Sequence, residues 1–415
     1  VQTVFERLTG QESDRTEARN GLIHVVSLSM TKVADGLIDP KLVLSWLLGV
    51  LGAPGIFIAL LVPIREAGAL LPQIFLAGRL NQMKQRRWMW ALGSAGQGIA
   101  AAGIVIAALT LEGWAAGQVF CVALAVLALC RAACSVSYKD ILGKTVGQAK
   151  RGAVTGMAGS VSSAAVLVFA LLLLSGFLQT KAGVIAAIGL ASVLWILAFF
   201  TFSRLREEDS EPGGPDSAEG YWKMLKKDAN LRRFILVRGL LTSTALAPPF
   251  LAVMTTGEGG GSVQTLGGLL LASAAAGFAS SYAWGWLADR SSRMMLLAAG
   301  GLAALAMGAA ISVQAAGLAQ VPFLIPGILF VLMVAYHGVR QARSTYLVDI
   351  SPEDRRTANA AVANLAIGII LLAAGAFGGA LSWVGPNGAL AGFAAMSALG
   401  GLAALGLREV GQAET

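Results

Sequence analysis

Residues 285–294 read Gly-Trp-Leu-Ala-Asp-Arg-Ser-Ser-Arg-Met, and residues 78–87 read Gly-Arg-Leu-Asn-Gln-Met-Lys-Gln-Arg-Arg. Both run Gly-x-Leu, then a polar turn, then arginine, and each closes an apolar stretch. A second pair repeats in the same sense. Arg131 and Asp140 are separated by the same interval as Arg340 and Asp349, and basic connectors follow at Lys150-Arg151 and Arg355-Arg356. Each pair is offset by close to half the chain, so the sequence holds two parallel halves.

Composition says what the halves are made of. Hydrophobic residues make up 56% of the chain and charged residues 13%, with a mean hydropathy of +0.70. A soluble domain carries roughly 25% charged residues. Here the charges fall in short clusters between apolar stretches long enough for the ~20 residues of helix that cross a bilayer. We read about twelve such spans, the first centred near Leu28 and the last near Ala395. The first is the most polar, and the apolar piece Leu42–Leu51 reads as separate from it. The fold class is an all-α integral membrane protein, its twelve transmembrane helices grouped in two pseudo-symmetric six-helix bundles. Parallel halves of this kind point to a transporter with its site between them.

The net charge of +8 follows the connectors, which argues against nucleic acid as a partner. One set of connectors holds nearly all the lysines and arginines, among them Arg79, Arg86, Lys144, Lys150, Arg232, Arg290 and Arg343. The alternate set holds only Lys41 and Lys181. The positive-inside rule places the first set in the cytoplasm, with both termini inside and very short external connectors. Loop charge and compactness fit a bacterial inner membrane. The expected organisation is a cytoplasmic tail (1–20), a first bundle (21–202), a linker (203–232), a second bundle (233–408) and a terminal tail (409–415). Tyr221–Leu231 reads as a short interfacial helix within the linker region. Residues 1–20 are polar and read as a soluble tail without a cleavable signal.

The segment Gly285-x-Leu287-x-Asp289-Arg290-x-x-Arg293 resembles the signature of the major facilitator superfamily between its second and third, or eighth and ninth, spans. The copy at Gly78 departs from it, with Gln82 in place of the usual Asp and Gln85 in place of the usual Gly. The resemblance also covers span count, half-length and linker position. It implies a cytoplasmic gate of charged loops formed by Gly285, Asp289, Arg290 and Arg293 with Asp140 and Asp349. It implies a monomer, and a central cavity lined by the first, fourth and tenth helices among others.

Ionisable groups at bilayer depth cost about 2.5–3.5 kcal/mol or more and are retained for a reason. Asn20, His24, Ser27, Thr31 and Asp35 fall on one face of the first helix at about 100° per residue, with Lys32 beside them. That wet face must avoid lipid, and a cavity is the expected place. Asp35 and Lys32 could also pair with each other at i, i+3. Arg65 and Glu66 are adjacent and so point about 100° apart. Glu66 would either carry a proton or pair with Lys32 or Arg131. Arg131 and Arg340 are repeat-related, His337 lies one turn from Arg340, and Arg238 enters the seventh span ahead of Pro248-Pro249.

The expected substrate-binding set is Lys32, Arg65, Arg131, Arg238, His337, Arg340, His24 and Thr31, with Asp35 and Glu66 as proton-coupling carboxylates. Arginine holds carboxylate or phosphate bidentately, so an anionic or zwitterionic small molecule follows, driven by protons. No cofactor or metal is expected. Cys121, Cys130 and Cys134 share one apolar span without metal spacing, and no Walker A, HExxH or CxxC sequence occurs. The fifth span lacks the Gly-x-x-x-Gly-Pro signature of drug–proton antiporters. Competing readings are an exporter or flippase of an amphiphile, and a non-transporting sensor or membrane-embedded enzyme. The short external connectors count against the last.

Overall fold

The computed structural model describes residues 2–175, 180–209, 228–255, 263–288, 291–350 and 356–408. Those residues form helices and turns, with no strand among them. Among the described residues, ten helices are long and apolar enough to cross a membrane. The first span is too polar for that test, and the eighth meets it only in part, over Thr265–Ser280. With these two the span count is twelve.

In the first half the spans are Arg15–Leu37 continued by Val43–Val50, Gly55–Leu70 continued by Gln73–Asn81, Arg87–Thr110, Gly113–Thr145, Gln148–Leu174 and Lys181–Phe202. In the second they are Ala229–Met254 in three pieces, Val263–Ala288, Ser292–Ala315, Leu324–Asp349, Arg356–Leu381 and Pro386–Ala404. The piece Leu42–Leu51 is therefore not separate: it completes the first span. Leu51 ends on the side opposite the basic connectors, where its carbonyl accepts the Gly113 N–H at 2.8 Å. Gly113 has φ +56°, which lets the chain turn directly into the fourth span there.

Glycine sets how closely the helices approach. A Cβ on Gly300 would lie 2.8 Å from the Gly401 Cα, so the ninth and twelfth spans meet backbone to backbone. Gly378 does the same for the Phe393 ring of the twelfth span. Between the halves, the second span packs along the eleventh and the fifth along the eighth. A Cβ on Gly375 would lie 2.1 Å from Pro63, and one on Gly379 3.2 Å from Ile56. One on Gly267 would lie 2.9 Å from the Leu174 nitrogen. Val43–Val50 also packs on Pro248–Met254. The halves thus close against each other on the side away from the basic connectors. Past Pro72 the second span turns instead to the fourth.

Residues 2–20 are not a free tail. Gln2–Thr9 is an amphipathic helix, and Asp14 caps the first span at Arg15 through the Glu17 N–H. Phe5 is fully buried against Gly21, with Leu142, Val146 and Val154 around it. Lys150 ties the fifth span to Glu17 at 2.7 Å. Losing a buried Phe costs about 3–5 kcal/mol, more than one two-turn helix can absorb. Phe5→Ala is therefore expected to release Gln2–Thr9 while the bundle stays folded. Hydrogen exchange should rise in residues 2–9 and stay unchanged in the third and sixth spans.

The seventh span begins at Ala229, capped by Asp228 through the N–H groups of Asn230 and Leu231. The expected interfacial helix at Tyr221–Leu231 lies largely outside the described residues, as do the middle of the linker and the segment 409–415.

Candidate functional site

Two spans are broken partway along their length, at related positions in the two halves. The first breaks at Asp39-Pro40. Proline removes a backbone donor and disfavours helix before it, and the amides that follow need an acceptor. Asp39 supplies it: one carboxylate oxygen accepts from the Lys41 and Leu42 N–H groups at 2.8 and 3.0 Å. Ser45 Oγ donates to the Pro40 carbonyl at 2.7 Å. A carboxylate also suits the positive end of the Val43–Val50 half-helix. Asp39→Ala is expected to cost about 1–2 kcal/mol of stability and Asp39→Asn much less, read as thermal unfolding of the purified protein.

The seventh span breaks between Leu240 and Pro248. Its freed carbonyls are taken by hydroxyls: Thr242 Oγ1 to Gly239, Ser243 Oγ to Leu240 and Thr244 Oγ1 to Leu241, at 2.6–2.8 Å. Broken backbone at this depth is tolerated where it lines a cavity or is buried in protein.

Two adjoining cavities lie between the halves. The larger, about 560 Å³, is bounded by Asp39 and Lys41, by Ser162 and Ser163 of the fifth span, and by Ser273, Tyr336, His337 and Arg340. The smaller, about 270 Å³, is bounded by Glu66, Arg238, Thr242, Arg340, Arg343 and Asn364. Tyr336 and Arg340 line both. Lys41 crosses from the first half to the second, its Nζ 3.9 Å from the centre of the Tyr336 ring. Arg238 is buried, donates to Asn364 Oδ1 at 3.2 Å, and leaves its Nε without a partner.

Lys41 is thus a cavity residue and not part of an external connector. The sequence pattern assigns its charge to a loop because the chain does break there, but within the first span. Arg343, counted with the basic connectors, also reaches a cavity wall. Asp39 and Tyr336 complete the group that pattern reading missed. The sequence signal for it was Asp-Pro-Lys between two apolar runs.

Asp35 bridges Arg65 and Arg131, at 2.7 Å each. This triad joins the first, second and fourth spans. Lys32 does not pair with Asp35; its Nζ donates to the Thr155 carbonyl of the fifth span at 3.3 Å. Glu66 turns away from Arg65's partner and faces the second half, as the 100° offset requires.

The rest of the polar stripe faces the interior of the first bundle. Asn20 bonds the Arg206 backbone in both directions. His24 is fully buried edge-on to Tyr138 and Phe202, with Nε2 2.8 Å from Thr145 Oγ1. Thr31 is buried and donates to the Leu28 carbonyl. The stripe avoids lipid as expected, but at these positions it is satisfied within the packing, by the Arg206 backbone, by Thr145 of the fourth span and by the span's own Leu28 carbonyl. His24 and Thr31 therefore sit in packing and not on a cavity wall.

At the basic side, Asp140 accepts from Arg86 at 2.5 Å and pairs with Lys144 at 2.9 Å. The Arg87 N–H donates to Glu207 at 2.8 Å, and its guanidinium reaches the Leu205 carbonyl. The first-half copy of the motif thus builds a charge network with Gln82 in place of the acid. Of the second-half set, Asp289 and Arg290 lie outside the described residues. Gly285 and Asp349 belong to the eighth and tenth helices, and Arg293 to the first turn of the ninth.

Two halves meeting along a charged, discontinuous seam define a membrane transporter and not an enzyme. The chain belongs to the major facilitator superfamily, whose family profile matches residues 29–335. Among curated proteins, none matches the sequence. Similar solved structures include the nucleoside transporter NupG, at 12% identity over 95% of this chain and 99% of that chain, with a TM-score of 0.68. The POT family transporter PepTSo aligns at 11% identity over 93% and 97%, with a TM-score of 0.70. A bacterial metal transporter aligns at 17% identity over 96% and 99%, with a TM-score of 0.59. At these identities the likeness concerns the fold.

Proposed function

We propose that this transporter moves a small organic anion or zwitterion by alternating access, with protons as the driving ion. The reading rests on Arg238: a buried guanidinium hydrogen-bonded to a neutral amide, beside a cavity where Arg340 and Arg343 join it and Glu66 is the one carboxylate among the described lining residues, so that cations are in excess. A buried charge needs a counter-charge, and a substrate anion supplies one. Arg340, His337 and Lys41 face the same seam. Arg65 and Arg131 act from behind it through Asp35, and Lys32 of the first span from its bond to the Thr155 carbonyl. Glu66, between the halves, and Asp35, within the triad, are the carboxylates suited to exchanging a proton with the cycle. Closure of the halves on the side away from the basic connectors corresponds to an inward-facing state. The basic connectors and both termini face the cytoplasm of a bacterial inner membrane, and the working unit is one chain.

The test is uptake into liposomes with and without an imposed pH gradient, using anionic and zwitterionic metabolites. Uptake that requires the gradient and falls at least tenfold in Glu66→Gln supports the reading. Uptake indifferent to pH removes the proton. Transport confined to lipids or hydrophobic cations replaces the reading with an amphiphile exporter. An alkaline phosphatase fused after Thr415 should stay inactive; activity there would reverse the orientation.

A further inference from the structure

The walls of the two cavities carry four cations, Lys41, Arg238, Arg340 and Arg343, and two carboxylates, Asp39 and Glu66. The surplus is two positive charges. Asp39 is already engaged by two backbone amides, and Glu66 stands with Arg238, Arg340 and Arg343 on the wall of the smaller cavity. Neither carboxylate is left to receive a substrate ammonium group.

The hydroxyls make a second, independent observation. A serine in a transmembrane helix ordinarily returns its hydroxyl to a carbonyl three or four residues back. In the fifth span Thr155 and Ser160 do so, to Arg151 and Gly156. Among the described residues, Ser162 and Ser163 of the same span and Ser273 across the cavity have no protein partner. Three free hydroxyls face one space, and Arg340 lines both that space and the cationic cavity beside it.

We propose that the substrate is a hydroxylated dianion spanning both cavities. One anionic group sits at Arg238 and Arg343, the other beside Lys41 and Arg340, and its hydroxyls meet Ser162, Ser163 and Ser273. The volumes of about 560 and 270 Å³ suit a small metabolite. This inference rests on the transporter reading above and narrows its substrate class from anion or zwitterion to dianion.

The probes are tartrate and succinate, dicarboxylates of the same chain length with and without hydroxyls, and alanine as a zwitterion. Binding is measured as thermal stabilisation of the purified full chain, and transport as liposome uptake. Tartrate should bind at least tenfold tighter than succinate, and alanine should not compete. In Ser162→Ala/Ser163→Ala/Ser273→Ala the tartrate preference should collapse while succinate affinity holds. That constant succinate affinity also shows the variant is folded. Arg238→Gln should weaken both dianions about a hundredfold. Equal binding of tartrate and succinate, a preference that survives the serine changes, or alanine binding as tightly as either dianion overturns the inference and leaves the anion-or-zwitterion carrier standing. If none of the probes nor any other charged metabolite binds, both readings fall.

Discussion

Asp35→Ala is expected to abolish uptake and to destabilise the first bundle by about 2–3 kcal/mol. The carboxylate holds Arg65 and Arg131 at 2.7 Å on separate oxygens. Without it, two guanidinium groups from neighbouring helices face each other in a low-dielectric interior. Removing one member of a buried pair costs about 3–5 kcal/mol. The three side chains keep 14–28% of their surface exposed, which places this case lower. Asp35→Asn keeps one acceptor and should fall between the two. Removing the facing charges as well, in Asp35→Ala/Arg65→Gln/Arg131→Gln, should recover most of the stability and none of the uptake. With Arg65→Gln/Arg131→Gln added, thermal unfolding and uptake of the wild type, Asp35→Ala, the double and the triple variant form a cycle that separates the coupling from the single losses. A fully stable Asp35→Ala would show that the triad bears no weight.

The second large effect is expected from Gly375→Ala, one added methyl group. Its Cβ would enter the Pro63 ring at 2.1 Å, where neither proline nor the helix around it can yield. The clash is made only when the second and eleventh spans are closed, so it destabilises one state of the cycle and not the fold. Overpacking of this kind costs about 1–3 kcal/mol, enough to shift a two-state balance about tenfold or more. Uptake should fall accordingly. Spin labels at Glu112 and Gln320, in connectors of the two halves on the closed side, should report longer distances. Gly301→Ala, with nothing within 4 Å, should leave both readouts unchanged. An unchanged distance distribution in Gly375→Ala would mean that the seam is not the moving contact.

The sequence exposes what is periodic and hides what is satisfied at long range. Spans, halves and motif copies follow from hydropathy, spacing and charge, because the bilayer imposes them locally. The offset between Arg65 and Glu66 is likewise helix geometry and holds in the structure. What failed was the choice of partner. Asp35 had Lys32 one turn away, yet its partners come from two other helices, and Lys32 reaches a fifth-span carbonyl. His24 belongs to a polar stripe that does avoid lipid, but a helix has two ways to do that, and at His24 the aromatic neighbours fill the space. Lys41 was lost for a different reason. A break in the membrane and a loop outside it share one signature, a proline flanked by polar residues. Only the Asp39 cap, which satisfies the exposed amides internally, tells them apart. The charge network at Asp140 was legible in outline, while its link to Glu207 depends on how the sixth span ends.

The glycine face of the eleventh span has a bearing on energy conservation in the living cell. Where Gly375 and Gly379 meet Pro63 and Ile56, the two helices close on each other with only the proline ring and the Ile56 and Ala59 side chains between them, and such a dry apolar joint leaves no channel for a file of water molecules. Protons hop along water wires, so a dry apolar barrier blocks them without any electrostatic guard. A carrier sealed in this way can rest among many copies of itself without short-circuiting an ion gradient across its membrane.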